Sequence, residues 1–188
     1  MIETQQPIIL HGDMDRKVFA WLENNLGKVT LFAPHARWRT GWDAEVSRDG
    51  ELRPLYIRGP RGDNYTSPIN MAQEAAIHRA YLANDIPVPK VIGLIEDPEA
   101  LVLERISGII NTGAIADAGS RKKIREEFVE IMAAIHRLPP EAFAEVGLDV
   151  PQGADAVSRN LYAASEAIFD GLIGRPWPLM RFTAGWLR

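Results

Sequence analysis

The sequence predicts an α+β fold, a mainly antiparallel sheet with helices followed by a purely helical part. Three observations carry this. Short segments rich in Val, Leu, Ile, Phe and Thr recur between residues 28 and 105, divided by turn residues. An Asp49-Gly50 pair separates two of them, and that pair suits a two-residue hairpin loop. After Gly108 the apolar residues switch to helical spacing and keep it.

The elements follow in order. Asp13 is placed to cap a helix from Met14 to Leu26, in which Val18, Trp21, Leu22 and Leu26 form one apolar stripe before Gly27 ends it. Lys28 to Trp38 is expected as a strand, Trp42 to Ser47 as a second, and Arg39-Thr40-Gly41-Trp42 as the turn between them. Arg53 to Arg58 is the third strand, with Leu55 and Ile57 on one face and Tyr56 and Arg58 on the other. Gly59 to Ser67 reads as a polar loop. Pro68 opens a helix to Asn84 whose inner stripe is Met71, Glu74, Ala75, His78 and Leu82. Ile86-Pro87-Val88-Pro89 cannot continue it, because each proline pushes its predecessor into extended geometry. Val91 to Ile95 and Leu101 to Arg105 are short strands joined through Asp97-Pro98-Glu99.

In the second part Ser120 is expected to cap a helix to Arg137, with Ile124, Phe128, Ile131, Met132 and Ile135 on one face, and Leu138-Pro139-Pro140 stops it. Asp155 starts another helix that aligns Val157, Leu161, Ala164, Ile168 and Leu172. Pro178 starts a last one, with Leu179, Phe182 and Trp186 on a shared face that runs almost to the final residue.

Composition narrows the function. The 188 residues are 46% hydrophobic and 24% charged, an ordinary globular balance. A net charge of -4 argues against a general nucleic-acid binder. Four histidines and no cysteine argue against a structural zinc site and a disulfide framework. No apolar run approaches the roughly 18 residues that span a bilayer, and no membrane partner is expected. The N-terminus lacks the basic and apolar regions of a signal peptide, so a soluble cytoplasmic protein is expected.

Glu74 is the most informative charged residue. It shares a stripe with Met71, Ala75 and Leu82, so it should face the sheet, where a carboxylate needs a cation. Arg58 is available to supply it, as a kinase pairs a basic side chain with a helix carboxylate to hold phosphates. A surface salt bridge at the edge of the stripe is the competing reading. Among the histidines, His78 on the inner stripe reads as a packed core residue and His136 as a favourable partial cation near a helix end. Asp13 and Asp15 do not converge on a metal.

Taken together, residues from Leu31 to Arg137 resemble the N-terminal half of the aminoglycoside phosphotransferase family, the kinase-like group that includes choline and macrolide kinases. The matching pieces are Gly41-Trp42-Asp43-Ala44-Glu45-Val46, Leu55-Tyr56-Ile57-Arg58-Gly59-Pro60, Gln73-Glu74 with Ile86-Pro87-Val88-Pro89, Leu101 to Gly108, and Ala134-Ile135-His136-Arg137. The resemblance implies a kinase-like nucleotide-binding lobe over residues 1–106 and a partial helical lobe over 107–188. It implies ATP as cofactor, with Arg39, Thr40, Gly41 and Trp42 as the loop over the phosphates and Arg58 in the place of the family's lysine, held by Glu74. It also implies backbone groups of Glu104 and Ile106 as the adenine hinge.

The family's catalytic part, His-Gly-Asp-x-x-x-x-Asn and a later metal-binding Asp, has no counterpart after Ile106. The one His-Gly-Asp is His11-Gly12-Asp13, read as the start of a helix. No catalytic and no metal residue is therefore assigned, and magnesium is expected only for a complete enzyme.

Two functions follow. The first is a small-molecule kinase that phosphorylates a substrate hydroxyl, with this chain as its N-terminal, truncated part and inactive alone. The second is a non-catalytic module that binds nucleotide or a partner, with a homodimer through the uncovered helical edge as its expected form.

Overall fold

A computed structural model describes residues 8–35, 39–61, 69–109, 111–147, 152–157 and 178–187. Helix α1 (Asp13–Asn25) has Gly12, not Asp13, as its N-cap residue. Asp15 satisfies the free end instead. Its Oδ2 accepts from the N–H groups of His11 at 2.7 Å and Gly12 at 3.4 Å, while Oδ1 accepts from the Trp42 indole N–H at 2.8 Å. A carboxylate three residues into the helix can reach back to the cap backbone. Asp13 is left exposed in the first turn, where its charge still suits the helix dipole.

Strands β1 (Lys28–Pro34), β2 (Arg39–Arg48) and β3 (Glu51–Arg61) form an antiparallel meander. Asp49 and Gly50 turn it at φ 53° and 83°, the left-handed pair that a tight hairpin requires. The strands differ from expectation at their far ends. β1 stops at Pro34, and residues 36–38 lie outside the described ones. Arg39 to Trp42 is not a turn but the start of β2, paired with β3 as Arg39↔Arg61, Gly41↔Arg58 and Trp42↔Ile57. Gly59 to Arg61 likewise belongs to β3 rather than to a loop. Gly59 is a packing glycine: a Cβ there would sit 2.8 Å from the Trp42 ring. The rest of the expected loop, together with Pro68, falls outside the described residues.

Helix α2 (Met71–Ala83) is capped by Asn70, whose side chain accepts from the Gln73 N–H. Strands β4 (Val91–Ile95) and β5 (Ala100–Glu104) complete a five-stranded antiparallel sheet in the order β1-β2-β3-β5-β4. The fold is α+β. Alternation along each strand sorts the core. Trp42, Ala44, Val46, Leu55, Ile57, Ala100 and Val102 meet Val18 and Leu22 of α1 on one face. Leu101 and Leu103 meet Met71 and Ala75 of α2 on the other.

At the sheet edge, Gly93 of β4 lies under the Trp21 ring, and a Cβ would come within 2.5 Å of it. Gly93→Ala should lower the unfolding free energy by about 1–3 kcal/mol through overpacking, measured by urea unfolding.

Beyond β5, helix α3 (Ala118–Arg137) starts earlier than expected. Asp117 caps it by accepting from the Ser120 N–H at 2.6 Å, so Ser120 is the donor and not the cap. That backbone N–H is the main cause holding the Asp117 carboxyl below its ordinary pKa. On the predicted apolar face, Ile131 and Ile135 are half-buried, whereas Phe128 is 63% exposed. The chain then turns at Leu138 into a 3-10 helix, Pro140–Val146, where Phe143 meets Tyr81 of α2 edge-on at 5.6 Å.

The chain divides into two compact units, residues 1–62 with 69–147 and residues 63–68 with 148–188. In the second, residues 153–157 are helical and Pro178–Leu187 forms a helix with Leu179, Phe182 and Trp186 exposed. The remainder of the helix expected from Asp155 to Leu172 lies outside the described residues.

Candidate functional site: a guanidinium cluster on the sheet

The face of β3 opposite Leu55 and Ile57 carries Tyr56 and Arg58, and α2 lies over its end. Met71 and Ala75 anchor α2 on Leu101 and Leu103, which turns Glu74, on the same stripe, toward the sheet. Arg58 Nη1 stands 2.9 Å from Glu74 Oε1. Arg39, from the start of β2, brings Nη2 to 3.6 Å from Glu74 Oε2. The Arg39 side chain is further fixed by donating from Nε to the Gly59 carbonyl at 2.8 Å and from Nη2 toward Met71 Sδ at 3.4 Å.

Burial makes this a charged cluster with consequences. The Arg39 and Glu74 side chains are 10% and 13% exposed, and Arg58 is 33% exposed. Glu74 Oε1 takes no hydrogen bond, so its contact with Arg58 is a close ionic one out of hydrogen-bond alignment. Among the described residues, one carboxylate thus balances two guanidiniums. Desolvation is the first cause, and repulsion from Arg58 the second, that push the Arg39 guanidinium below the ordinary arginine value, with Glu74 working the other way. Arginine stays protonated through such a shift, so the cluster keeps an excess of positive charge. Arg58, the most open member, can meet an anion from solvent.

The predicted residues fare differently. Arg58 and Glu74 are brought together. Arg39 joins them through its side chain, not through a loop backbone. Thr40, Gly41 and Trp42 lie within paired strand, and Trp42 is fully buried on the α1 face, where it cannot touch a ligand. The Glu104 N–H donates to the Lys90 carbonyl at 2.9 Å, so it is committed to the sheet. Ile106 lies past β5 and is 62% exposed, and among the described residues no group accepts its N–H. His78 Nδ1 sits 3.1 Å from the Pro89 carbonyl, tying α2 to the next segment.

One network escaped the sequence reading. Arg105 turns back to β2, where Nη2 donates to Glu45 Oε1 at 2.9 Å and Nη1 lies 4.0 Å from Asp43. Asp43 is also 3.1 Å from His35 Nε2. Alternation with the buried Trp42, Ala44 and Val46 was the available signal, since it puts Asp43 and Glu45 on the site face. Among the described residues no three metal-ligating side chains converge. Comparison with models of known families, with characterised proteins and with solved structures finds no match to this chain.

Proposed function

We propose that this sheet face binds the polyphosphate of a nucleotide, ATP in the first instance. In this reading the chain works as the nucleotide lobe of a small-molecule phosphotransferase of the aminoglycoside phosphotransferase kind, which moves a γ-phosphate to a substrate hydroxyl. The observation that carries it is the half-buried carboxylate shared by two guanidiniums. Glu74 fixes Arg39 and Arg58 in place yet leaves their charge undercompensated, which is what an anionic ligand with several oxygens needs. The order of elements supports it too: hairpin, basic strand end, helix carboxylate, then two short strands.

Transfer needs more than this. His11-Gly12-Asp13 is spent on the start of α1, and among the described residues no three metal-ligating side chains converge. The proposal therefore assigns binding, not phosphoryl transfer, to this chain.

Calorimetric titration with ATP and with inorganic tripolyphosphate tests it. Arg58→Ala should weaken both by about tenfold to a hundredfold, the usual worth of a hydrogen bond to a charged group. Arg58 is partly open and sits on the sheet's polar face, so folding should survive. Equal affinity in the wild type and Arg58→Ala would remove the basis of the proposal.

A further inference from the structure

We propose that Tyr56 is the third donor of this site, its hydroxyl completing with Arg39 and Arg58 a cradle for polyphosphate oxygens. The inference rests on the polyphosphate reading above and adds to it a residue and a contact.

Tyr56 precedes Arg58 by two positions in β3, so both side chains leave the same face. Its side chain packs against the cluster of Met71, Ala75, Leu101 and Leu103. The His35 ring stands 5.9 Å away at 50°, and Tyr56 pairs with Asp43 across the β2–β3 register. With its ring so held, the phenol reaches across to Gly41. A Cβ on Gly41 would lie 3.3 Å from Tyr56 Oη and 3.7 Å from Cε2. Gly41 is the partner of Arg58 in the β2–β3 register, so the hydroxyl is carried to the rung of Arg58.

Among the described residues no hydrogen bond involves Tyr56 Oη. Asp43, the carboxylate across the rung, is already engaged with His35 and faces Arg105. A phenol on the face of Arg58, with no acceptor among the described residues, is free to donate to an anionic oxygen. An O–H···O⁻ bond is among the stronger protein hydrogen bonds, and a neutral phenol adds it without adding a further charge to repel Arg39 and Arg58. Gly41 is the residue that leaves room for it.

Tyr56→Phe isolates the hydroxyl, because the ring and its packing remain. Wild type and Tyr56→Phe would be titrated with ATP and with inorganic tripolyphosphate at one fixed salt concentration, with thermal melts to establish that both are folded. The expected result is a loss of affinity of about tenfold, equal for the two ligands. Unchanged affinity for both overturns the inference. So does weakening confined to ATP, which would place the hydroxyl on the nucleoside, and so does a wild type that binds ATP but not tripolyphosphate. A wild type that binds neither ligand defeats the polyphosphate reading itself, and this inference with it.

Discussion

Glu74→Ala should lower the unfolding free energy by about 3 kcal/mol, toward the lower end of the range for breaking a buried ion pair because Arg58 is partly solvated. For a chain of this length that is a fall in Tm of about 6–12 °C. The cause is not the lost contact alone. Without the carboxylate, Arg39 and Arg58 have no other counterion among the described residues, and the repulsion that already lowers the Arg39 pKa goes unopposed. The same argument predicts a rescue. Tripolyphosphate supplies the missing negative charge, so it should raise the Tm of Glu74→Ala by more than it raises that of the wild type. Paired thermal melts with and without the anion measure both effects. An unshifted Tm in the variant would mean that Glu74 does not hold the guanidiniums together. A normal fall in Tm with no extra rescue would separate the ion pair from anion binding.

The pairing of Arg58 with Glu74 was legible in the sequence because each residue follows from a local period. Arg58 alternates with Leu55 and Ile57, and Glu74 shares a helical stripe with Met71 and Ala75. No long-range information is needed to face both toward the same interface. Locally, Arg39 reads as part of a turn because a glycine, Gly41, follows two residues later. In fact the register slips between Arg39 and Gly41, and the strand continues through the irregularity. A bulge depends on the partner strand, and that is not visible locally. The Arg105–Glu45 contact was hidden for a related reason, since it requires knowing that β5 lies beside β3, where the Arg105 N–H meets the Pro54 carbonyl, and that Glu45 of β2 is the partner of Pro54. The capping error was of a different kind. Asp13 and Asp15 are both suitable near a helix start, and the choice is decided by Trp42, whose indole comes from a strand far along the chain.

That indole sets the second large effect. Trp42→Ala should cost about 3–5 kcal/mol for the emptied volume. Trp42 is fully buried and stacks on Phe32 at 6.4 Å between centroids, so its neighbours have little freedom to close the gap. A further cost of about 1–3 kcal/mol comes from Asp15 Oδ1, which loses its indole donor within a site only 8% exposed. Against a total stability of about 5–15 kcal/mol, the variant should stand at or near the limit of folding. Trp42→Phe is the milder variant, because it keeps an aromatic ring in the core while removing the indole N–H and part of the ring volume. It should remain folded and lose about 2 kcal/mol by denaturant titration. A neutral Trp42→Phe would show that the His11 and Gly12 N–H groups satisfy Asp15 without the indole. The effect should also reach the anion site. The Trp42 ring lies against Gly59, and the Gly59 carbonyl is the acceptor that fixes Arg39 Nε. A smaller ring lets Gly59 shift and with it the aim of Arg39, so Trp42→Phe should weaken tripolyphosphate binding although the residue points to the opposite face of the sheet.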